Sequence, residues 1–162
     1  NLSYWSSWSN GFNIWKSEFD KIDKNLKLNK LFPHTSLFLT QHQAKLFCIN
    51  DNLLFDVQRI PKRGGHNKFE AFTIEYPSLL DECCKKGHIS TKCKKHILFG
   101  IMVQFLPSLL FNKYIIRIET FDDTGFRDNL KKYYPSYAYW LVLISVLGVP
   151  FRLFCRKLKN KR

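Results

Sequence analysis

Acidic residues are scarce in this chain. Asp and Glu number 13 against 26 Lys and Arg, a formal charge of +13 over 162 residues. The imbalance points to nucleic acid or an anionic membrane surface as a partner, because clustered Lys and Arg release counterions from phosphate polymers. Six of the positive charges fall within the last eleven residues, where membrane topology accounts for them. The rest are scattered among Asn, Phe and Leu as a solvated surface would be, so nucleic acid is the weaker expectation. Cysteine is sparse too. The five, at Cys48, Cys83, Cys84, Cys93 and Cys155, do not make a disulfide scaffold at this length. There is no initiating Met and no apolar core of the kind a cleavable signal peptide needs. A fragment or processed chain is therefore expected, with an earlier span upstream.

Catalytic signatures are missing as well. The chain has no G-x-S-x-G, no H-E-x-x-H and no phosphate loop, and Pro61-Lys62-Arg63-Gly64-Gly65-His66 is ordinary turn chemistry. Asp122-Asp123 stands beside Thr124-Gly125 in a turn rather than as an organised carboxylate pair. Neither an enzyme, a cofactor nor a small-molecule substrate is expected.

What the chain does have is a run from 133 to 151, YYPSYAYWLVLISVLGVPF, nineteen residues without a charge. At about 1.5 Å per residue, a helix of that length covers most of the roughly 30 Å of hydrocarbon in a bilayer. Its ends differ: Tyr137, Tyr139 and Trp140 crowd the first, where amphipathic rings favour the headgroup layer, and Arg152, Arg156 and Lys157 crowd the second. These six are the candidate anchor residues. They predict a transmembrane helix with a cytosolic C-terminus and the preceding residues outside the cytosol. Within that frame Asn1-Leu2-Ser3 is a glycosylation sequon on Asn1, the first four cysteines could pair, and Cys155 could carry an acyl chain.

The remainder predicts a mainly β domain, an antiparallel sheet or small sandwich. Residues 1–32 hold an aromatic segment and one amphipathic helix over about 13–28, where Trp15, Phe19, Ile22 and Leu26 share a face and Asp20 pairs with Lys24. Pro33 is expected to end it. Residues 33–122 then form the β-rich domain, with strands at 36–49, 53–60 and 68–76, the last alternating Phe72, Ile74 and Tyr76 with Thr73 and Glu75. The second apolar run, 97–111, contains Gln104 and Pro107 and is short for a span; two core strands, continuing at 114–121, are preferred to a membrane segment. The linker 81–96 carries the one metal-like set, Cys84, His88, Cys93 and His96, whose two thiols and two imidazoles suit tetrahedral zinc. Its spacing matches no common finger and its lysines oppose a dication, so a solvated basic loop is preferred. Residues 123–155 make the juxtamembrane segment and span, and 156–162 a basic cytosolic tail.

The approach to the span, Gly125, Phe126, Asp128, Leu130, Lys131, Tyr134 and Tyr137, resembles the C-terminal juxtamembrane stretch of the transmembrane protein 231 family. Upstream, 68–80 (KFEAFTIEYPSLL) is similar to that family's strand-then-proline segment, and 96–103 to the strand that follows. The transmembrane protein 151 family, with a Pro-Arg pair in its final span, is similar over 150–153. The first resemblance implies a two-span protein of the ciliary transition zone: a non-catalytic scaffold in a tectonic-like complex that gates membrane-protein entry, whose partners are the bilayer and other complex members. The alternatives are a soluble basic nucleic-acid-binding protein and a zinc module.

Overall fold

The computed structural model describes residues 15–22, 27–40 and 67–159. Among these residues there is no strand, and the expected β domain is replaced by helices: α1 Lys16–Phe19, α2 Pro33–Thr40, α3 over 68–85, α4 Thr91–Tyr114, α5 Phe126–Tyr133, α6 Ala138–Leu147 and α7 Val149–Lys159. The expected strand 53–60, the greater part of 36–49, the glycosylation candidate Asn1 and Cys48 lie outside the described residues.

The predicted helix over 13–28 is described only as the single turn α1, with Trp15 82 % exposed and no residue buried. Glu18 there pairs with Lys21 at 2.6 Å, while Lys24 lies outside the described residues. Pro33 opens α2 rather than closing an element. Its missing N–H costs nothing at a first helical position, and the Asn29 side chain accepts from the amides of Leu31 and Phe32, both at 2.9 Å.

Helices α3 and α4 replace the predicted strands at 68–76, 97–111 and, for its first residue, 114–121. The apolar alternation at Phe72, Ile74 and Tyr76 suited a strand, but the buried side chains Phe69, Phe72, Tyr76, Leu79, Leu80 and Cys83 recur every three or four residues, which is the period of one helix face. A proline within each helix hid that period. An interior proline offers no N–H to the carbonyl four residues back, and its ring presses against that carbonyl. Both helices solve this alike. The turns Ala71–Glu75 and Ile101–Phe105 are π-helical, so the amides of Tyr76 and Leu106 reach back five residues to the carbonyls of Ala71 and Ile101. Each wide turn ends just before a fully buried proline, Pro77 or Pro107. The four residues Pro-Ser-Leu-Leu follow at 77–80 and again at 107–110, so the two helices repeat one local design.

The expected linker at 81–96 is the tip of this helical hairpin. Gly87, at φ 74°, reverses the chain, and the amides of Gly87 and His88 bond the carbonyls of Cys84 and Cys83 at 3.0 and 2.9 Å. Ser90 then caps α4 by accepting from the Cys93 amide at 3.1 Å. Lys92, Lys94 and Lys95 stand in the first turns of α4, where the helix dipole disfavours cations; Lys94 is compensated by an ion pair with Asp81 of α3.

The core lies where α2, α3, α4, α5 and α6 meet. Phe32 packs edge-on against Phe72 and Tyr76 at 5.4 and 5.0 Å, and Phe72 meets Phe105 at 4.2 Å, which joins the two π turns. Helix α5 packs on the π turn of α3. Phe126 sits edge-on to Phe69 at 5.4 Å, and the Tyr134 hydroxyl donates to the Phe72 carbonyl at 2.7 Å. The connection from α4 to α5 is strapped down by charge. Lys68 reaches the buried Glu119 carboxylate at 3.1 Å, and Lys113 reaches Asp123 at 2.5 Å and the Phe121 carbonyl at 2.7 Å. Lys113 also lies over the Phe69 ring at 5.6 Å, and the Tyr114 hydroxyl donates to Asp123.

Two outcomes follow for stability. Leu80→Ala or Ile101→Ala empties a fully buried position and lowers the unfolding free energy by about 2–5 kcal/mol in chemical denaturation. Burial pulls the Asp123 carboxyl upward, but the hydrogen bonds from Lys113 and Tyr114 outweigh it and hold the group below the ordinary carboxylate value. Its contribution is therefore complete above the unfolded-state value of about 3.9 and is lost as pH falls through the lower folded-state value. Asp123→Asn lowers the melting temperature at neutral pH and flattens its decline in acid; an unchanged acid limb would contradict this role.

Candidate functional site

The uncharged run 133–151 is divided among three local structures rather than forming one rod. Tyr133 ends α5, residues 134–137 turn, and helix begins again at Ala138. Uncharged helix then extends only to Phe151, and α6 and α7 meet at a 49° bend. Together they are apolar enough to cross a membrane. The bend has a local cause. Pro150 cannot donate to the Val146 carbonyl, the Gly148 amide turns tightly onto the Ser145 carbonyl at 3.2 Å, and the Arg152 guanidinium reaches back to that same carbonyl at 3.5 Å.

Inner and outer faces of this element differ sharply. Small side chains face the body: Ala138, Val142 and Val149 are buried, against α4 for the most part. Leu141, Leu143 and Val146 are half-buried against the core, and the other large side chains face away. Tyr137, Trp140 (60 % exposed), Ile144 (66 %), Leu147 (80 %), Phe151 (71 %) and Phe154 recur every three or four residues and form one outward apolar stripe across the bend. Of the predicted anchor residues, Tyr137 and Trp140 lie on this stripe, Tyr139 is half-buried with its ring 5.4 Å from Trp140, and Arg152 is half-buried at the break. Arg156 and Lys157 follow on α7.

Helix α4 is the one described helix that by itself is long and apolar enough to cross a membrane, with 56 % of its apolar stretch buried. Its surroundings favour a core role. Phe105 of its π turn contacts Phe72 of α3, and the α3 turn in its turn carries α5 with Arg127, Asp128, Lys131 and Lys132 exposed. Charged groups thus stand level with the middle of α4, while no charged side chain occurs on α6.

A shallow cleft of about 40 Å³ lies between α5 and the start of α6, lined by Arg127, Leu130, Lys131, Pro135, Ser136, Tyr139 and Trp140. Arg127 lies over the Tyr139 ring at 5.4 Å, and Lys131 pairs with Asp128 at 2.8 Å on an exposed surface. Sequence reasoning missed this cleft because its basic residues are separated from its rings by the turn at 134–137; the spacing of Arg127 and Lys131, one helical turn apart before Pro135, was the available signal.

The zinc set is not assembled. Among the described residues no three or more His, Cys, Asp or Glu side chains converge as metal ligands, although Cys84, His88, Cys93 and His96 are all described. Cys84 lies in the last turn of α3, while Cys93 and His96 stand exposed on α4. The four described cysteines are free thiols rather than paired. Burial, with a smaller contribution from Glu82, pushes the Cys83 thiol up to about 11; the reactive thiolate is therefore suppressed at neutral pH. In timed alkylation followed by peptide mass spectrometry, Cys93 reacts first and Cys83 last of the four described cysteines. A disulfide joining any two of Cys83, Cys84 and Cys93 in the purified protein would refute the arrangement.

Comparisons with protein-family models, with curated proteins and with solved structures return no match.

Proposed function

We propose that the protein is a non-catalytic, membrane-anchored helical scaffold in which α6 and α7 contact lipid and the α2–α5 body serves as the platform for protein partners. The observation that carries this reading is the outward stripe Tyr137, Trp140, Ile144, Leu147, Phe151 and Phe154. Moving one such side chain from water to hydrocarbon is worth about 1–3 kcal/mol. Several acting together outweigh the cost of immobilising the protein at a surface. Helix α6 is apolar all round, whereas α7 mixes Phe151, Leu153 and Phe154 with Arg152 and the following basic residues. That division suits a short buried limb followed by a limb lying among headgroups. The basic residues favour the cytosolic face of a membrane, whose anionic lipids attract them.

The ciliary setting is not carried forward. It rested on the resemblance of 125–137 and, upstream, of 68–80 and 96–103 likened to strands; nothing else supports it, and the two upstream segments are helical. The scaffold role stands on the outward apolar element.

Flotation with phosphatidylcholine vesicles tests the reading. The full chain floats with the vesicles and remains with the membrane after carbonate washing. Ile144→Glu/Leu147→Glu, at two exposed positions, leaves the melting temperature within a few degrees and cuts the floated fraction at least tenfold. Recovery of the unmodified chain in the soluble fraction would overturn the anchoring.

A further inference from the structure

We propose that the cleft between α5 and the first turn of α6 holds the phosphate of an anionic phospholipid headgroup, an inference that rests on the lipid-facing reading of α6. Three features of the cleft point there: its charge, its size and its position.

Arg127 and Lys131 bring two cations to the rim, and the Ser136 hydroxyl adds a donor. Among the described residues Arg127 has no ion-pair partner; its guanidinium lies over the Tyr139 ring, which holds the planar fork in place and leaves its N–H edge for an anion. Lys131 is held by Asp128 at 2.8 Å. An exposed pair of this kind is weak, so a phosphate oxygen can take the ammonium over. Lys132 stands exposed on the same helix, and the local balance of Arg127, Lys131 and Lys132 against Asp128 is positive.

The volume of about 40 Å³ compares with the roughly 10–15 Å³ that one water needs. A group of a few heavy atoms fits, which is the scale of a phosphate rather than of a complete sugar or nucleotide. Position selects the source of that phosphate. Trp140 is both a wall of the cleft and a member of the outward stripe that continues through Ile144 and Leu147. A phosphate seated at Arg127 therefore places the acyl chains of the same molecule along the stripe. A free phosphate compound would use the cations and leave the stripe idle.

Vesicle co-sedimentation with the full chain separates the possibilities. The wild-type protein partitions on the order of 25-fold more strongly onto phosphatidylcholine vesicles containing 20 mol % phosphatidic acid than onto phosphatidylcholine alone, about fivefold for each of the two engaged cations. Arg127→Gln/Lys131→Gln loses about tenfold on the acidic vesicles and retains wild-type binding to neutral ones. Arg127→Lys keeps the charge but lacks the fork, and loses part of the gain. Lys92→Gln/Lys95→Gln removes the same charge near the opposite end of α4 and changes the preference less than twofold. Wild-type preference in the Arg127→Gln/Lys131→Gln protein, or equal losses in the two double variants, would overturn the headgroup site while leaving the anchoring intact. Failure of the wild-type protein to bind either vesicle would overturn the anchoring itself. Calorimetric titration with inorganic phosphate and with glycerol 3-phosphate, without vesicles, gives no saturable heat at micromolar concentration; tight binding there would assign the cleft to a soluble phosphate compound instead.

Discussion

The contact between Phe72 and Phe105, ring centroids 4.2 Å apart, is the interaction on which the rest of the structure depends. Each ring belongs to a turn widened to accommodate a buried proline, so the two widened turns of the bundle are packed against one another. A π turn in isolation is a poor helix conformation. Here it persists because the surrounding side chains leave no alternative volume: Tyr76, Leu80, Ile101 and Leu106 are inaccessible to solvent on either side of it. Phe32, just before α2, closes the cluster from one side and Tyr134 from another, through its bond to the Phe72 carbonyl.

That core decides where the protein can meet a membrane. An apolar helix has two ways of leaving water, other protein or lipid, and composition does not distinguish them. Helix α4 finds its partners within the bundle, with charged α5 carried beside its midpoint. Helix α6 finds partners on one side only, and there it offers small residues, Ala138 and Val142, that allow close approach. Leu141, Leu143 and Val146 also pack against the core, while Trp140, Ile144 and Leu147 remain outside. The bend at Gly148 and Pro150 keeps the stripe continuous while turning the basic end of α7 away from the direction of α6.

Much of the candidate site was legible from residue types alone. The loss of charge after Lys132, the rings at Tyr137, Tyr139 and Trp140, and the basic exit at Arg152 mark an element whose ends prefer headgroups and whose middle prefers hydrocarbon. Its internal division was less legible, since Pro135 and Pro150 each allow either a kink or a break. The fold class was misread. Phe72, Ile74 and Tyr76 satisfy the period of a strand over five residues, whereas the helical period of Phe69, Phe72, Tyr76, Leu79, Leu80 and Cys83 needs fifteen to emerge. In the second run, Pro107 argued against a continuous helix. The recurrence of Pro-Ser-Leu-Leu was the stronger clue, because one local solution used twice implies the same secondary structure twice.

The sequence by itself determined the uncharged stretch, its aromatic and basic ends and the general excess of positive charge, because these depend only on side-chain transfer preferences and need no neighbours. Only the tertiary structure decided that prolines could lie inside helices, that α4 is held by protein while α6 faces outward, and that Arg127 meets Tyr139 across a turn. A π turn is stable only when packing supports it, and the face a helix turns outward is set by which other helices reach it first.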